Sequence, residues 1–421
     1  MPRKLKEKKM CRKILFTVPG VFLTLAVLVF SAHSAGSEEI PLTPIEQLGK
    51  ILFFDTNLSS PPGQACATCH ASTVGFTGPD PEINVPGAIY PGALNTRFGN
   101  RKPPTAAYGG DSPVLYYDKA EGIFVGGLFW DGRATGKNVI GDPLAEQAQG
   151  PFLNPLEHNL ANAMEVCDKV RGSGYVKLFE EVWGPGSLDC EKDVEKTYEL
   201  IARSISAYER SREVSPFTSK YDHYIRGKAK LTEIEKKGLE LFEGKGKCAN
   251  CHPSQRGPGG EPPLFTDFTY DNIGVPVNPH NPFYSMDFKW NPDGREWRDP
   301  GLGGFLKAAG YSRDMYEPEL GKMKVPTLRN VDKRPYSNFA KSYGHNGYFK
   351  SLKEITHFYN TRDVLPGCES RPDLIPGLDC WPEPEVSINV NKEELGNLGL
   401  TDAEEDSIVA FMKTLSDGVA P

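Results

Sequence analysis

The sequence lacks both a large excess of charge of one sign and a long basic stripe. Its 421 residues include 48 basic and 55 acidic side chains, which are interspersed and give a formal net charge of −7. Proteins that bind nucleic acids or anionic lipids do so through clustered positive charge. We therefore expect no nucleic-acid partner for this chain.

Strand signals are also scarce, being weak and scattered, whereas glycine and proline are frequent. The chain has 43 Gly and 36 Pro, and these residues favour turns and ordered loops over continuous helices. The longest Pro/Gly-rich stretch extends from Pro253 to about Gly321. We predict a mainly α fold with long Pro/Gly-rich loops, which suits a protein whose loops surround a prosthetic group.

The N-terminus has the composition of an export signal. Basic residues are concentrated within the first thirteen positions, an apolar run from Ile14 to Phe30 follows, and small residues lead to Ala35. This order predicts a signal peptide over residues 1–35 with cleavage near Ala35. The apolar run is nearly long enough to cross a bilayer, so an uncleaved N-terminal anchor is the alternative.

The nine cysteines fall into three groups. Cys11 precedes the apolar run, four cysteines belong to two CxxCH motifs, and four remain: Cys167, Cys190, Cys368 and Cys380. An even number of cysteines in an oxidising compartment favours disulfides. Of the three connectivities we prefer Cys167 with Cys190 and Cys368 with Cys380, because this pairing closes the shortest loops. Four unpaired thiols are the alternative.

The motifs that carry chemistry are two copies of CxxCH: Cys66-Ala67-Thr68-Cys69-His70 and Cys248-Ala249-Asn250-Cys251-His252. In this pattern both thiols can add to the vinyl groups of one haem while the histidine ligates the iron. A single motif is also compatible with a thiol–disulfide site or with half of a zinc site. Redox pairs need no histidine, and zinc would require further ligands at close spacing. Two copies in an exported chain therefore predict two covalently bound haems c.

The segments that precede the two motifs are similar to each other. Leu42-Thr43-Pro44-Ile45-Glu46 can be laid over Leu231-Thr232-Glu233-Ile234-Glu235, and the match continues at Gly49 and Gly238. Each segment has a capping-box signal and then apolar residues at helical spacing, so each is predicted to be a helix that leads into its motif. Duplication of one haem-binding unit explains the similarity. We therefore predict two cytochrome c-like haem domains, residues 36–225 and 226–421.

Five stretches of the sequence resemble bacterial di-haem cytochrome c peroxidases and their MauG-like relatives. The resemblance covers roughly residues 42 to 416 in consistent order. The five stretches are Leu48-Gly49-Lys50-Ile51-Leu52-Phe53-Phe54-Asp55, Phe129-Trp130-Asp131-Gly132-Arg133-Ala134, Gly150-Pro151-Phe152-Leu153-Asn154-Pro155-Leu156-Glu157, Lys324-Val325-Pro326-Thr327-Leu328-Arg329-Asn330 and Gly344-His345-Asn346-Gly347. The resemblance implies a periplasmic protein with a peroxidatic N-terminal haem and a C-terminal haem that stores and relays an electron.

The resemblance assigns Gln147 and Glu157 to the distal face of the first haem. A carboxylate there can accept a proton from hydrogen peroxide and return it to the departing oxygen, as cleavage of the O–O bond requires. Gln147 would orient the peroxide or the carboxylate. For a lone Glu, a solvated loop position would be the simpler interpretation. Trp130 falls where the family has an aromatic bridge between the two haems, and ordinary core packing is the alternative role.

Two departures from the family pattern concern the axial ligands. Members that need reductive activation carry a removable distal His after the first motif, yet no His occurs between His70 and His158. The first iron is therefore expected to be open on its distal side. His158 could substitute for the missing His, but its position next to Glu157 favours a supporting or exposed role. The position of the usual Met ligand of the second haem holds Tyr359, whose phenolate would favour ferric iron. Met323 and His357 are the competing ligands.

Lys102 lies where many relatives have an Asn that ligates an interdomain calcium ion. Calcium requires oxygen ligands, which an ammonium group cannot supply. Either Asn100 takes the role in a shifted register or the Lys102 ammonium replaces the ion, so Ca²⁺ is retained only as an alternative cofactor. His345 is expected to make a structural or propionate contact.

The resemblance implies an enzyme of the cytochrome c peroxidase type. It would reduce hydrogen peroxide to water with electrons from a small c-type cytochrome or cupredoxin. The close alternative is a MauG-like enzyme that uses peroxide-derived high-valent haems to oxidise a Trp or Tyr of a partner protein, and the absent distal His and Tyr359 favour it. A third hypothesis is a di-haem electron carrier without peroxide chemistry, against which Gln147 and Glu157 argue.

Overall fold

Most helices of the protein begin where the sequence supplies a capping residue or a proline. The computed structural model describes residues 41–138 and 140–420, so the predicted signal peptide or anchor over residues 1–35 lies outside the described residues. None of the helices within the described residues is long and apolar enough to cross a membrane. The α-helices are α1 (Pro44–Phe54), α2 (Cys66–Cys69), α3 (Pro81–Asn84), α4 (Pro143–Leu153), α5 (Ala163–Arg171), α6 (Val176–Trp183), α7 (Val194–Arg210), α8 (Lys220–Ile225), α9 (Glu233–Glu243), α10 (Gly301–Ala308), α11 (Arg313–Tyr316), α12 (Leu352–Thr361) and α13 (Asp402–Lys413).

The strands of the described chain are short and form two antiparallel pairs. β1 (Tyr116–Asp118) pairs with β2 (Ile123–Val125), and β3 (Tyr270–Asp271) pairs with β4 (Met323–Lys324). Helices therefore outweigh strands, and the prediction of a mainly α fold is confirmed.

The long Pro/Gly-rich stretch that begins at Pro253 is largely irregular, as predicted, but its last part is helical. α10 and α11 lie within the stretch that was expected to be a loop as far as Gly321. Leu302 and Leu306 of α10 are fully buried against Leu115 and Phe124. Burial of this apolar face overrides the low helix propensity of the glycines in α10, which is why composition alone missed the helix.

Two helix crossings organise the chain around the CxxCH motifs. α1 packs against α7, and α9 packs against α13. At the first crossing a side chain on Gly49 would collide with the Ser204 carbonyl oxygen, and at the second a side chain on Gly238 would collide with the Ser407 carbonyl oxygen. Glycine is therefore required at both positions so that the helix backbones can approach each other.

The buried apolar residues form one large cluster around each crossing. The first draws its buried members from residues 48–214 and includes Phe53 and Tyr208, and the second draws its members from residues 221–415 and includes Phe242 and Phe411. We call the parts of the chain that supply these clusters the N-terminal unit (residues 42–214) and the C-terminal unit (residues 221–415). From Leu42 onward the chain packs as one body, so the predicted boundary near residue 225 stays a prediction.

The predicted disulfides are both confirmed. Cys167 is bonded to Cys190, and Cys368 is bonded to Cys380. The first joins α5 to the segment before α7, and the second closes a loop whose Trp381 packs edge-to-face on Phe358 of α12. One disulfide therefore lies in each unit, the first at α5 and the second beside α12.

Candidate functional site

The first CxxCH motif forms the short helix α2, and its residues line a cavity. Cys66 and Cys69 are not disulfide-bonded, and burial raises the pKa of the Cys69 thiol to about 12. A redox CxxC pair would need a lowered thiol pKa. The raised pKa therefore argues against a thiol–disulfide redox pair at this motif.

His70 is held in the orientation that an iron ligand requires. Its Nδ1 donates a hydrogen bond to the carbonyl oxygen of Phe76 at 3.0 Å, and Phe76 adopts a positive φ of 56°. Burial lowers the pKa of His70 to about 4, so its ring is neutral. A backbone carbonyl that receives one ring N–H fixes the tautomer and leaves Nε2 free to bind a metal.

The second motif repeats this arrangement. His252 Nδ1 donates to the carbonyl oxygen of Phe265 at 2.8 Å, Phe265 has a φ of 53°, and burial lowers the pKa of His252. Cys248 and Cys251 are also unpaired. Two adjoining cavities share Cys248, His252 and Tyr359 in their walls.

Both sites fit a covalently attached haem. Each provides two free thiols, a neutral imidazole with one nitrogen available, and a cavity with a largely apolar lining. Within the described residues, the single group of three potential metal ligands close enough to share one ion contains Cys251, with Asp271 and Glu394. Haem attachment would use that thiol, so the zinc alternative gains no support here.

Glu157 and Gln147 line the same cavity as His70. Gln147 projects from α4, and Glu157 follows the end of this helix in a turn whose Asn154 Nδ2 donates to Glu157 Oε1 at 3.0 Å. Burial raises the pKa of Glu157, although the charge of Arg133 and the hydrogen bond from Asn154 oppose this effect. The turn thus holds a carboxyl group with elevated proton affinity at the cavity wall.

His158 borders the first cavity, and its ring is held by the backbone and by an aromatic neighbour. Its Nδ1 donates to the carbonyl oxygen of Leu58 at 2.6 Å, and its ring packs edge-on against Phe152. The side chain is buried, and burial lowers its pKa. The ring therefore supports the turn that carries Glu157.

The three predicted candidates for the sixth ligand of the second haem occupy different surroundings. Tyr359 lines both cavities of the C-terminal unit, and Met323 on β4 lines one of them. His357 lines neither, because its ring points to Glu405 and Nδ1 lies 2.9 Å from Glu405 Oε1. Burial raises the pKa of Tyr359 well above its ordinary value. Among the described residues no side chain or backbone group forms a hydrogen bond with its hydroxyl.

Trp130 lies between the two sites and lines all three cavities. Its Nε1 donates to the carbonyl oxygen of Lys102 at 2.9 Å, and its own carbonyl accepts a hydrogen bond from the Lys324 backbone at 2.8 Å. The ring centroids of Trp130 and His345 are 6.4 Å apart in an edge-to-face arrangement. His345 Nε2 lies 2.9 Å from Glu385 Oε2, so the predicted structural contact of His345 is made with protein.

The Lys102 ammonium is itself held by oxygen atoms. It donates to Thr77 Oγ1 at 2.9 Å and to the carbonyl oxygen of Pro103 at 3.2 Å, and burial together with the charge of Lys350 lowers its pKa to about 8. A calcium ion would have to compete for oxygen atoms that this side chain already uses.

Two features of the site were not identified from the sequence. Arg101 pairs with Asp131 and Asp299, each at 2.6 Å, and so joins the N-terminal unit to the C-terminal unit. Glu209 of α7 is buried and also lines the first cavity. The Asp131-Gly132-Arg133 stretch belongs to a motif that was noticed, but no sequence signal pointed to Glu209.

Comparison with known proteins agrees with this geometry. The sequence matches the family described as di-haem cytochrome c peroxidase over residues 44–230. It is 35% identical to the methylamine utilization protein MauG of Paracoccus denitrificans, over 93% of this chain and 94% of that protein. It is 27% identical to the cytochrome c551 peroxidase of Nitrosomonas europaea, over 80% and 82% of the two chains. The crystal structure of the diheme peroxidase BthA from Burkholderia thailandensis superposes with a TM-score of 0.72 at 30% identity, covering 90% of this chain and 87% of that chain.

Proposed function

Because the chain belongs to the di-haem cytochrome c peroxidase family and is an oxidoreductase with two haems c, we propose that it reduces hydrogen peroxide to water in the periplasm. Its electrons come from a small c-type cytochrome or cupredoxin. In this proposal residues 36–225 and 226–421 are duplicated haem domains, the first peroxidatic and the second electron-transferring. Haem 1 is the group on Cys66, Cys69 and His70, and haem 2 is the group on Cys248, Cys251 and His252.

The observation that carries the proposal is the meeting of Glu157, Gln147 and His70 at one cavity. A bound haem supplies an iron that can accept a peroxide oxygen and exchange electrons with it. Glu157 would accept a proton from bound peroxide and return it to the departing oxygen. Gln147 orients the peroxide or the carboxylate, and the absence of a His between His70 and His158 leaves the distal side open.

The C-terminal unit supplies electrons in this scheme. His252 and Tyr359 would hold the iron of haem 2, and Met323 is the alternative to Tyr359 that lines the same cavity. Trp130 provides the aromatic step between the haems, since it borders the cavities on both sides. Calcium is assigned no role, because the Lys102 ammonium donates hydrogen bonds and cannot ligate a cation. Asn100 alone would have to replace the Asn ligand that relatives have at the position of Lys102.

The acid–base role of Glu157 is tested by Glu157→Gln, which removes proton exchange with little change in size. We expect peroxide turnover to fall on the order of 10²- to 10⁴-fold, measured with a chemically reduced small cytochrome c as donor at unchanged haem content. Glu82→Gln, at an exposed position of α3, is the matched control and should retain its rate. Near wild-type turnover in Glu157→Gln would remove the proposed role of this carboxylate.

A second candidate function is MauG-like oxidation of a Trp or Tyr of a partner protein. The specific observation in its favour is Tyr359 in the walls of both cavities of the C-terminal unit, together with 35% identity to a MauG protein. It predicts that peroxide-treated protein keeps its oxidising equivalents when no donor is present and then oxidises an added polypeptide. Fast turnover with reduced cytochrome favours the peroxidase, and a spectrum that does not respond to peroxide would leave only the electron-carrier hypothesis.

A further inference from the structure

Glu209 is a buried carboxyl group that none of the steps above uses. Glu209 lies in the last turn of α7, is only 4% exposed, and lines the same cavity as Glu157 and His70. Its Oε2 atom has no hydrogen-bond partner among the described residues. An unpaired buried carboxylate is costly, so the protein retains this group against a stability penalty unless a proton neutralises it.

The C-terminal unit shows that the scaffold does not need an acid at this position. α1 crosses α7 at Ser204 and α9 crosses α13 at Ser407, so the two crossings can be laid over each other. Five residues further along each helix stand Glu209 and Met412. Met412 is buried and lines a cavity next to His252. An apolar side chain therefore fills the equivalent place beside the second site.

The surroundings of Glu209 make both of its protonation states accessible. Burial raises its pKa to about 8, an effect that Arg210 opposes and Asp142 reinforces. Tyr208 on the same helix and the Cys66 thiol on α2 are further titratable groups that interact with it. Glu157 and His70 line the same cavity. Of the neighbouring helices, α1 contributes Lys50, which is engaged at the surface with Glu213 at 2.6 Å.

We propose that Glu209 is a redox-coupled proton site of the haem 1 cavity, binding a proton when the iron gains an electron and releasing it when the iron is oxidised. The inference rests on the proposed function only in requiring haem 1 to be present. A negative charge in this cavity stabilises the oxidised iron, and reduction raises the proton affinity of the carboxylate by the same free energy. In each such step one electron enters the iron and one proton enters Glu209.

This role answers a need of the proposed reaction. Reduction of hydrogen peroxide to two waters takes up two electrons from the donor and two protons from solvent. Glu157 returns the proton that it accepts, so it supplies none of the two. Glu209 lies next to the surface pair Arg210–Asp142, in which the two side chains approach to 2.8 Å. Glu209 can therefore take up a proton from solvent before peroxide enters the cavity.

Potentiometric titration of haem 1 as a function of pH tests the proposal without measuring activity. In the wild-type holoprotein the midpoint potential should fall as pH rises through the region around pH 8, because deprotonated Glu209 favours oxidised iron. Glu209→Gln and Glu209→Met should abolish this slope and raise the potential at alkaline pH, and Glu209→Asp should keep a slope in a shifted pH range. Met412→Leu is the control beside haem 2 and should leave the slope of haem 1 intact.

Infrared difference spectra of reduced minus oxidised protein provide a second readout. A band of a protonated carboxyl group should appear on reduction in wild type and disappear in Glu209→Gln. A pH slope and a carboxyl band that both persist in Glu209→Gln would overturn the proposal. If the slope is lost in Glu209→Gln but the wild type does not turn over peroxide, the proton site stands and the proposed function fails.

Discussion

The N-terminal and C-terminal units share a frame, by which we mean the helix crossing and the loop hydrogen bonds around the CxxCH motif. They differ in the side chains that this frame directs into the cavities. In both, the motif histidine donates to the carbonyl oxygen of a phenylalanine with positive φ. In both, a threonine of the Pro-Thr pair closes the same loop: Thr105 donates to Gly75 at 2.8 Å and Thr327 to Leu264 at 2.6 Å. The side chains of the cavity walls differ. The orientation of the motif histidine is therefore common to both units. The units differ in a few side chains that line the cavities.

The two units also exchange equivalent contacts. The Lys102 backbone donates to the His345 carbonyl oxygen at 2.7 Å, and the Lys324 backbone donates to the Trp130 carbonyl oxygen at 2.8 Å. Trp130 and His345 thus occupy corresponding places in two similar loops that meet between the cavities. This reciprocity supports the proposed duplication. Both units place a ring between the cavities by the same backbone contacts, and an indole is present at one of the two places.

The largest predicted effect on stability concerns a buried ion pair that the C-terminal unit has and the N-terminal unit lacks. Arg329 of the C-terminal unit is fully buried and pairs with Asp222 at 2.7 Å, whereas the N-terminal unit has the buried Ala107 two residues after its corresponding threonine. Asp222→Asn leaves the guanidinium without its anion. We expect a loss of about 3–5 kcal/mol in the free energy of unfolding, measured by urea titration of the holoprotein.

The same pair gives a pH dependence of known sign. Burial alone would raise the pKa of Asp222, but the hydrogen bond and charge of Arg329 hold it below its ordinary value. A depressed pKa means that the stabilisation is present above the unfolded pKa and is lost as pH falls through the folded pKa. Wild type should therefore lose this contribution in acid, and Asp222→Asn should not. Glu233→Gln, which removes the exposed pair with Lys236, is the control and should leave stability unchanged.

The sequence predicted those parts of the molecule that are local. The CxxCH motifs, the helices before them and the short disulfide loops each lie within a few dozen residues, and chemistry or periodicity marks each of them. Arg101 with Asp299, and Glu209 beside Cys66, are brought together across much longer separations. Their partners are selected by tertiary packing, which leaves no spacing pattern to read. α10 was missed for the same reason, since its burial comes from Leu115 and Phe124.

A smaller effect is expected from exchanging the proposed sixth ligand of haem 2. In the proposed site, binding to iron would have to remove the proton that burial otherwise keeps on the Tyr359 hydroxyl. Tyr359→Met would then replace a phenolate, which favours ferric iron, by a thioether, which favours ferrous iron. The potential of haem 2 should rise on the order of 0.1 V, equivalent to ~2 kcal/mol for one electron. Spectroelectrochemistry of both haems measures the change, and haem 1 should shift much less than haem 2.

Two control variants assign the ligand among the three candidates. Met323→Leu alters a residue that lines the same cavity, and His357→Ala alters one that is bonded to Glu405 outside it. Neither should change the spectrum of haem 2 if Tyr359 is the ligand. A spectrum that changes in Met323→Leu and stays constant in Tyr359→Met would show that Met323 is the ligand. The second haem would then have a Met ligand, as is usual in the family.

The smallest predicted effect concerns the helices that lead into the motifs, where the two units look alike in sequence but differ in bonding. The Thr232 hydroxyl accepts a hydrogen bond from the Glu235 backbone at 3.4 Å. The hydrogen bond of the Thr43 hydroxyl is instead the one that it donates to the Glu46 carboxylate at 2.7 Å. Thr232→Ala should therefore cost about 1 kcal/mol of unfolding free energy and Thr43→Ala only a few tenths. Thr232→Ser should restore stability, because serine supplies the same acceptor. Equal losses at both threonines would mean that the frame is uniform at these helix starts and that their different hydrogen bonds carry no energetic distinction.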